Sequence, residues 1–205
     1  MKKILVVLLL VVFGYAEKNI IDTDKLKKVK DVRSVMKIYS QTLSWKHPNK
    51  WKGAYRNEAN NAFIMEFIPK EQELKTWKDM LTIQGLKGLA KRDNLTPKDI
   101  KLSLVNNIKN ISSSQLVFKE LSTLEIYESK GVMFLLGLKK IPNDITVGLP
   151  KGASEIGLYL VIKGKEDFYI IHRSWKGKAM INDNLPFSKE ELKEWINIFE
   201  EIELY

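Results

Sequence analysis

The sequence has 205 residues, 34 lysines and arginines against 25 aspartates and glutamates, a formal charge of +9, and no cysteine. Without thiols it has no disulfides, thiolate metal sites, cysteine nucleophiles or dithiol exchange. Its length supports one substantial hydrophobic core.

The chain opens Met1-Lys2-Lys3, runs from Ile4 to Phe13 without a polar residue, and continues Gly14-Tyr15-Ala16-Glu17. A short positive end, an apolar run and small residues at Gly14 and Ala16 predict a cleavable export signal over residues 1–16. The apolar run of about ten to thirteen residues falls short of the roughly twenty that span a bilayer. No cysteine follows it, which excludes the lipid-anchored kind of signal. Cleavage leaves about 190 residues carrying a charge of about +7, since residues 1–16 hold two lysines and no acid. The expected destination is the periplasm or the medium, with no transmembrane anchor.

Residues 17–33 are polar, weakly periodic and read as a loosely docked arm; residues 34–205 read as a single α+β domain. Val35 to Leu43 is rich in strand formers, and Ser44 to Gly53, broken by Pro48 and Gly53, reads as a loop or strand end. Ala62 to Ile68 is a strand stopped by Pro69. Glu66 within it is an acid whose pKa would rise if buried, the commoner reading being the solvent side of an edge strand. Glu71 to Leu81 places Leu74, Trp77 and Leu81 on one helical face.

Thr96-Pro97-Lys98-Asp99 is a helix start, followed by a stripe of Ile100, Leu104, Val105, Ile108 and Ile111. Leu116–Ile126, Gly131–Leu138, Ile156–Ile162 and Phe168–Trp175 read as strands, with a hairpin turn at Gly164-Lys165-Glu166-Asp167. The second and third of these strands are apolar at both parities, so both of their faces should be covered. Ser188 and Glu191 make a capping box for a last helix carrying Leu192, Trp195, Ile196, Phe199 and Ile202. The expected fold is α+β, a largely antiparallel sheet packed with helices.

Candidate chemistry centres on the two histidines. Each sits among tryptophan and cations, as Trp45-Lys46-His47-Pro48-Asn49-Lys50-Trp51 and as His172-Arg173-Ser174-Trp175-Lys176. Aromatic faces flanked by cations grip ligands that are partly flat and partly anionic. The candidate ligand-binding residues are therefore His172, Arg173, Trp175, Lys176, Trp45, His47 and Trp51. Strand alternation puts Tyr169, Ile171, Arg173 and Trp175 on one face, and Phe168, Ile170, His172 and Ser174 on the other.

No His-x-x-x-His or His-Glu pairing supports a metal site, and no cofactor is expected. There is no Gly-x-Ser-x-Gly elbow, and Gly85-Leu86-Lys87-Gly88 lacks the spacing of a phosphate loop. Asn94-Leu95-Thr96 and Asn110-Ile111-Ser112 match the glycosylation sequon but read as structural. A hydrolase requires Glu66, Asp79 or Asp167 to converge on His172 or His47.

The segment from Phe67 to Gln84, a strand ending in Pro69 before a tryptophan-containing stretch, resembles small secreted bacterial proteins of unassigned function. The order of later elements is similar to the PsbP-like and DcrB-like fold. That resemblance implies a binding or assembly role and no catalysis. The basic segments Lys25–Lys28, Lys46–Lys52, Lys87–Arg92 and Arg173–Lys178 favour acidic partners. The leading expectation is an exported protein that binds a protein partner or an anionic envelope component, with nucleic acid excluded by the compartment. The alternative is a small-molecule or lipid carrier with an aromatic-lined pocket.

Overall fold

The computed structural model describes residues 31–126, 129–142, 152–181 and 184–205. The expected signal peptide and residues 17–30 lie outside the described residues. The first strand, β1 (Asp31–Ile38), takes in the last residues of the stretch expected to be an arm.

Val35 to Leu43 is not one strand. The chain turns at Tyr39 and Ser40 and returns as β2 (Gln41–Pro48), pairing Ile38 with Gln41 and Asp31 with Pro48. Tyr39 makes the turn with φ 58, a left-handed conformation that costs a non-glycine residue about 1–2 kcal/mol. The loop expected over Ser44 to Gly53 is likewise corrected: β2 runs on to Pro48, a tight turn follows, and β3 (Trp51–Ala59) begins. Pro48 sits at the strand end, where a missing N–H is tolerated. Asn60 and Asn61 then turn the chain with φ 52 and 64. Positive φ at both central residues suits a two-residue hairpin, which returns the chain as β4 (Ala62–Pro69).

The helix expected over Glu71 to Leu81 is absent. Residues 70–78 form turns, with Gln72 N–H donating to Pro69 O at 2.9 Å and Lys78 N–H to the Gln72 side chain at 2.6 Å. Leu81 belongs instead to β5 (Asp79–Leu86), bonded on one side to β4. Pairing on both flanks of β5 outweighs a three-residue helical pattern.

The capped helix forms as expected. In α1 (Pro97–Ile111), Thr96 Oγ1 accepts from Asp99 N–H and Thr96 N–H donates to the Asp99 carboxylate at 2.8 Å. β6 (Leu116–Ile126), β7 (Ser129–Leu138), β8 (Ala153–Lys163) and β9 (Phe168–Lys178) follow. Then come α2 (Lys189–Glu200), capped by Ser188 and Glu191, and a short β10 (Glu203–Leu204).

Seven strands form one antiparallel sheet in the order β3-β4-β5-β9-β8-β7-β6, and three form a smaller one in the order β1-β2-β10. The large sheet is covered on both faces. On the first, Leu81, Ile83, Met133, Leu135, Leu158, Leu160, Tyr169 and Ile171 pack against Ile38, Leu43 and Trp45 of the small sheet and Trp195 and Phe199 of α2. On the second, Ile100 and Leu104 of α1 pack on Val132, Phe134, Leu136, Val161, Phe168 and Ile170. Each fully buried aliphatic side chain stabilises by roughly 1.5–3 kcal/mol. The fold is thus α+β. Among the described residues no helix is long and apolar enough to cross a membrane.

The close approach of β7 and β8 offers a test. A Cβ on Gly137 would lie 2.1 Å from Glu155 O and 2.6 Å from Ile156 Cα, both backbone atoms. Gly137→Ala is expected to cost about 3 kcal/mol in urea unfolding, the upper end for overpacking. Gly88→Ala, with open space but φ 68, should cost about 1 kcal/mol.

Candidate functional site

β9 carries the densest run of candidate residues, and its alternation divides them. Arg173 points to the first face. Its guanidinium carbon lies 5.2 Å from the centre of the Trp51 ring and 4.6 Å from that of Trp195. Its Nε and Nη2 fork onto Asp79 at 3.1 and 2.7 Å. A cation between two aromatic faces and bidentate to a carboxylate has its charge already engaged. Trp175 is half-buried against the same cluster.

The β2 residues belong to this layer too. Trp45, 1% exposed, meets Phe67 edge-on at 5.8 Å, and His47 stacks on the same ring at 5.1 Å. His47 Nδ1–H donates to Pro48 O at 3.1 Å, leaving Nε2 to accept from the Ser34 hydroxyl at 2.9 Å. Burial lowers the His47 pKa, opposed by the Pro48 carbonyl and the Asp31 charge. The structure therefore brings Trp51 to Arg173 and Trp45 to His47. His172 and Lys176 lie on the opposite face of the large sheet, so the candidates are divided between its two sides.

On that second face the strand registers draw a row. Tyr55, Glu66, Thr82, His172, Tyr159 and Phe134 are successive cross-strand partners over β3, β4, β5, β9, β8 and β7. The aromatic half is stacked, Phe134 on Tyr159 at 5.4 Å and Tyr159 on His172 at 4.6 Å. The polar half is not satisfied. Thr82 Oγ1 and His172 Nδ1 are buried without a hydrogen-bond partner among the described residues.

Glu66 follows the buried reading and not the edge-strand one. β4 lies inside the sheet, and Glu66 is 9% exposed. Burial pushes its carboxyl up to about 7. Burial also pushes Glu155 up to about 7, Lys176 opposing and Glu66 adding to the rise. His172 goes the other way, to about 4, because burial disfavours the imidazolium. Lys176 Nζ rests 4.0 Å from the centre of the Trp77 ring. Among the described residues no group of three metal-ligating side chains is assembled.

A third arrangement escaped the sequence. At one end of the sheet, Asp167 is 1% exposed and accepts from Ser40 N–H at 3.0 Å, Gly88 N–H at 2.6 Å, Tyr169 O–H at 3.4 Å and the Ser40 hydroxyl. Burial raises its pKa, but these donors outweigh burial and hold the carboxyl below its ordinary value. Gln41 Oε1 adds an acceptor for Lys165 N–H at 2.6 Å, and Glu166 O one for Ala90 N–H at 3.0 Å. One carboxylate thus fastens together the turns at 39–40, 87–92 and 164–167. Lys87, Lys91, Arg92 and Lys165 are exposed on that base. Lys91 pairs with Glu166 at 2.7 Å, and Lys87 Nζ lies 5.4 Å from the centre of the Tyr39 ring. Asp79 and Asp167, two acids considered for a hydrolase, are committed to Arg173 and to the turns. The readable signal was an acid closing a hairpin beside a strand; its long-range donors were not readable.

No family model and no curated protein matches the sequence. Among solved structures, the chain is similar to cyanobacterial PsbP (CyanoP) from Synechocystis, with TM-score 0.51 and 10% identity over 86% of this chain and 93% of that one. The Ran-binding protein Mog1p of Saccharomyces cerevisiae gives TM-score 0.41 and 11% identity over 81% and 83%. LpqN of Mycobacterium tuberculosis, described as involved in cell envelope biogenesis, gives 0.37 and 10% over 89% and 96%. The first of these shows a PsbP-like fold.

Two carboxyls yield opposite pH predictions. For Asp167, a depressed pKa means its stabilisation is present above the ordinary value of 3.8 and is lost as pH falls through the folded value. Asp167→Asn should therefore destabilise by about 2 kcal/mol at neutral pH, the scale of hydrogen bonds to a charged group, with the difference closing in acid. For Glu66, a pKa raised from 4.5 to about 7 means stability is greatest below the lower value and falls as pH rises through the upper one. Glu66→Gln should gain about 3 kcal/mol at pH 8 and nothing near pH 4, at 1.36 kcal/mol per unit. Thermal melts of both variants across pH check the signs.

Proposed function

We propose that this chain is an exported, non-catalytic binding protein whose basic turn end engages a protein partner or an anionic component of the cell envelope. One observation carries the reading. Exposed Lys87, Lys91, Arg92 and Lys165 stand on turns that the buried Asp167 holds in one place. Loops fixed to a rigid scaffold are where recognition groups are usefully displayed. A fixed cationic surface meets an anionic one without first ordering its backbone.

Supporting considerations agree. The sixteen-residue start has the composition of an export signal. Trp45 and Trp51 fill the core at 1% and 7% exposure, so those rings are not offered to an incoming ligand. Of the three acids named for a hydrolase, Asp79 is engaged with Arg173 and Asp167 with the turns, while Glu66 stands two strands from His172 on the second face.

N-terminal sequencing of protein recovered from the envelope fraction should begin near Glu17; an intact Met1 would remove the export step. Cosedimentation with vesicles of phosphatidylglycerol and phosphatidylethanolamine, beside native mass spectrometry of the same material, separates lipid from protein partner. Reversing Lys87, Lys91, Arg92 and Lys165 to glutamate should weaken association by at least about a hundredfold, at roughly 1 kcal/mol per surface cation. Association unchanged by that reversal and by added salt sinks the reading.

A further inference from the structure

We propose that the second face of the large sheet binds a small primary ammonium ion, held by Glu66, Thr82 and His172. The registers set Thr82 directly between Glu66 and His172. Strands lie about 4.8 Å apart, so the three side chains stand in one row across three adjacent strands, with Thr82 within reach of both neighbours. All three offer acceptors: a carboxylate, a hydroxyl oxygen, and an imidazole nitrogen when the proton sits on Nε2. A primary ammonium presents three N–H donors.

Two of these acceptors stand open. Thr82 is 1% exposed, and both Thr82 Oγ1 and His172 Nδ1 are buried without a partner among the described residues. Natural proteins rarely leave such groups unsatisfied unless a ligand or water completes them.

The groups turned toward this row come from each neighbouring strand. β3 contributes Tyr55 and Lys52, β8 Glu155 and Tyr159, and β9 His172 and Lys176. Both cations are engaged elsewhere, Lys52 with Glu73 at 3.7 Å and Lys176 over Trp77. The buried Glu66 and the partly buried Glu155 share this face, with Lys176 opposite Glu155 in the register. A metal ion lacks three ligating side chains among the described residues. A quaternary ammonium has no N–H to give.

Binding requires ionised Glu66, whose carboxyl burial holds at about 7. Affinity should therefore rise about tenfold per pH unit below that value and level off above it. The test is NMR of the purified protein with methylammonium chloride, against sodium chloride and tetramethylammonium chloride at equal ionic strength. Methylammonium should shift the Thr82 and His172 signals and move the carbon-observed titration of Glu66 down by about 1–3 units, as a nearby opposite charge does. Glu66→Gln should abolish the response, and Thr82→Val should weaken it by about tenfold or more. The Glu66 titration is read on the wild-type chain, so it stands even where a variant fails to fold. An unmoved titration, an equal response to tetramethylammonium or sodium, or binding that survives both substitutions overturns the site.

Discussion

The structure depends on three adjacent strands being apolar on both faces. In β7, Val132, Phe134, Leu136 and Met133, Leu135 alternate to opposite sides, and all are buried. β8 does the same with Val161 and with Leu158, Leu160 and Ile162, and β9 with Phe168, Ile170 and Tyr169, Ile171. A sheet of this kind is stable only as the middle of three layers. α1 must therefore cover one side, while α2 and the small sheet cover the other. Gly137 belongs to the same constraint, since β7 and β8 pack so closely that its missing Cβ is where the backbone of β8 runs.

With both faces committed, little is left for function except ends, edges and the part of the second face that α1 does not reach. Two buried carboxyls mark those places and differ in what surrounds them. Asp167 is met by backbone and hydroxyl donors from three turns, so its charge is welcome and its pKa falls. Glu66 is buried with burial as the whole cause of its shift, so its charge is unwelcome and its pKa rises. Burial is common to both; the supply of donors decides the sign. The first carboxyl has spent its hydrogen-bonding capacity on architecture. The second retains it.

This difference explains what the sequence made legible. α1 and α2 were readable because Thr96 with Asp99 and Ser188 with Glu191 announce their starts locally. β6 to β9 were readable because apolar runs bounded by turn residues leave few alternatives. The first hairpin was hidden because Tyr39 and Ser40 are not ordinary turn residues; Ser40 is held by Asp167, 127 residues away. β5 was hidden because its helical spacing yields to partners in β4 and β9, one of them about ninety residues downstream. The candidate site was half legible. Proximity of the two tryptophan-rich segments is real at Trp51 and Arg173, yet alternation along β9 already sends His172 and Lys176 to the other side. The Glu66–Thr82–His172 row depends on register across three strands, which no local pattern encodes.

The cationic turns and the acceptor row are not independent in space. Phe168, at the turn end of β9, is four residues from His172, or about 13 Å along an extended strand. β5 spans a similar interval from Leu86 to Thr82. One scaffold therefore presents clustered positive charge at its rim and uncompensated acceptors on its face, separated by more than a Debye length of about 8 Å at physiological salt. Exposed charges so far apart are screened from each other, while the buried groups keep their low-dielectric surroundings. Opposite preferences can then coexist without cancelling, because the rigid sheet fixes the distance and Asp167 fixes the rim.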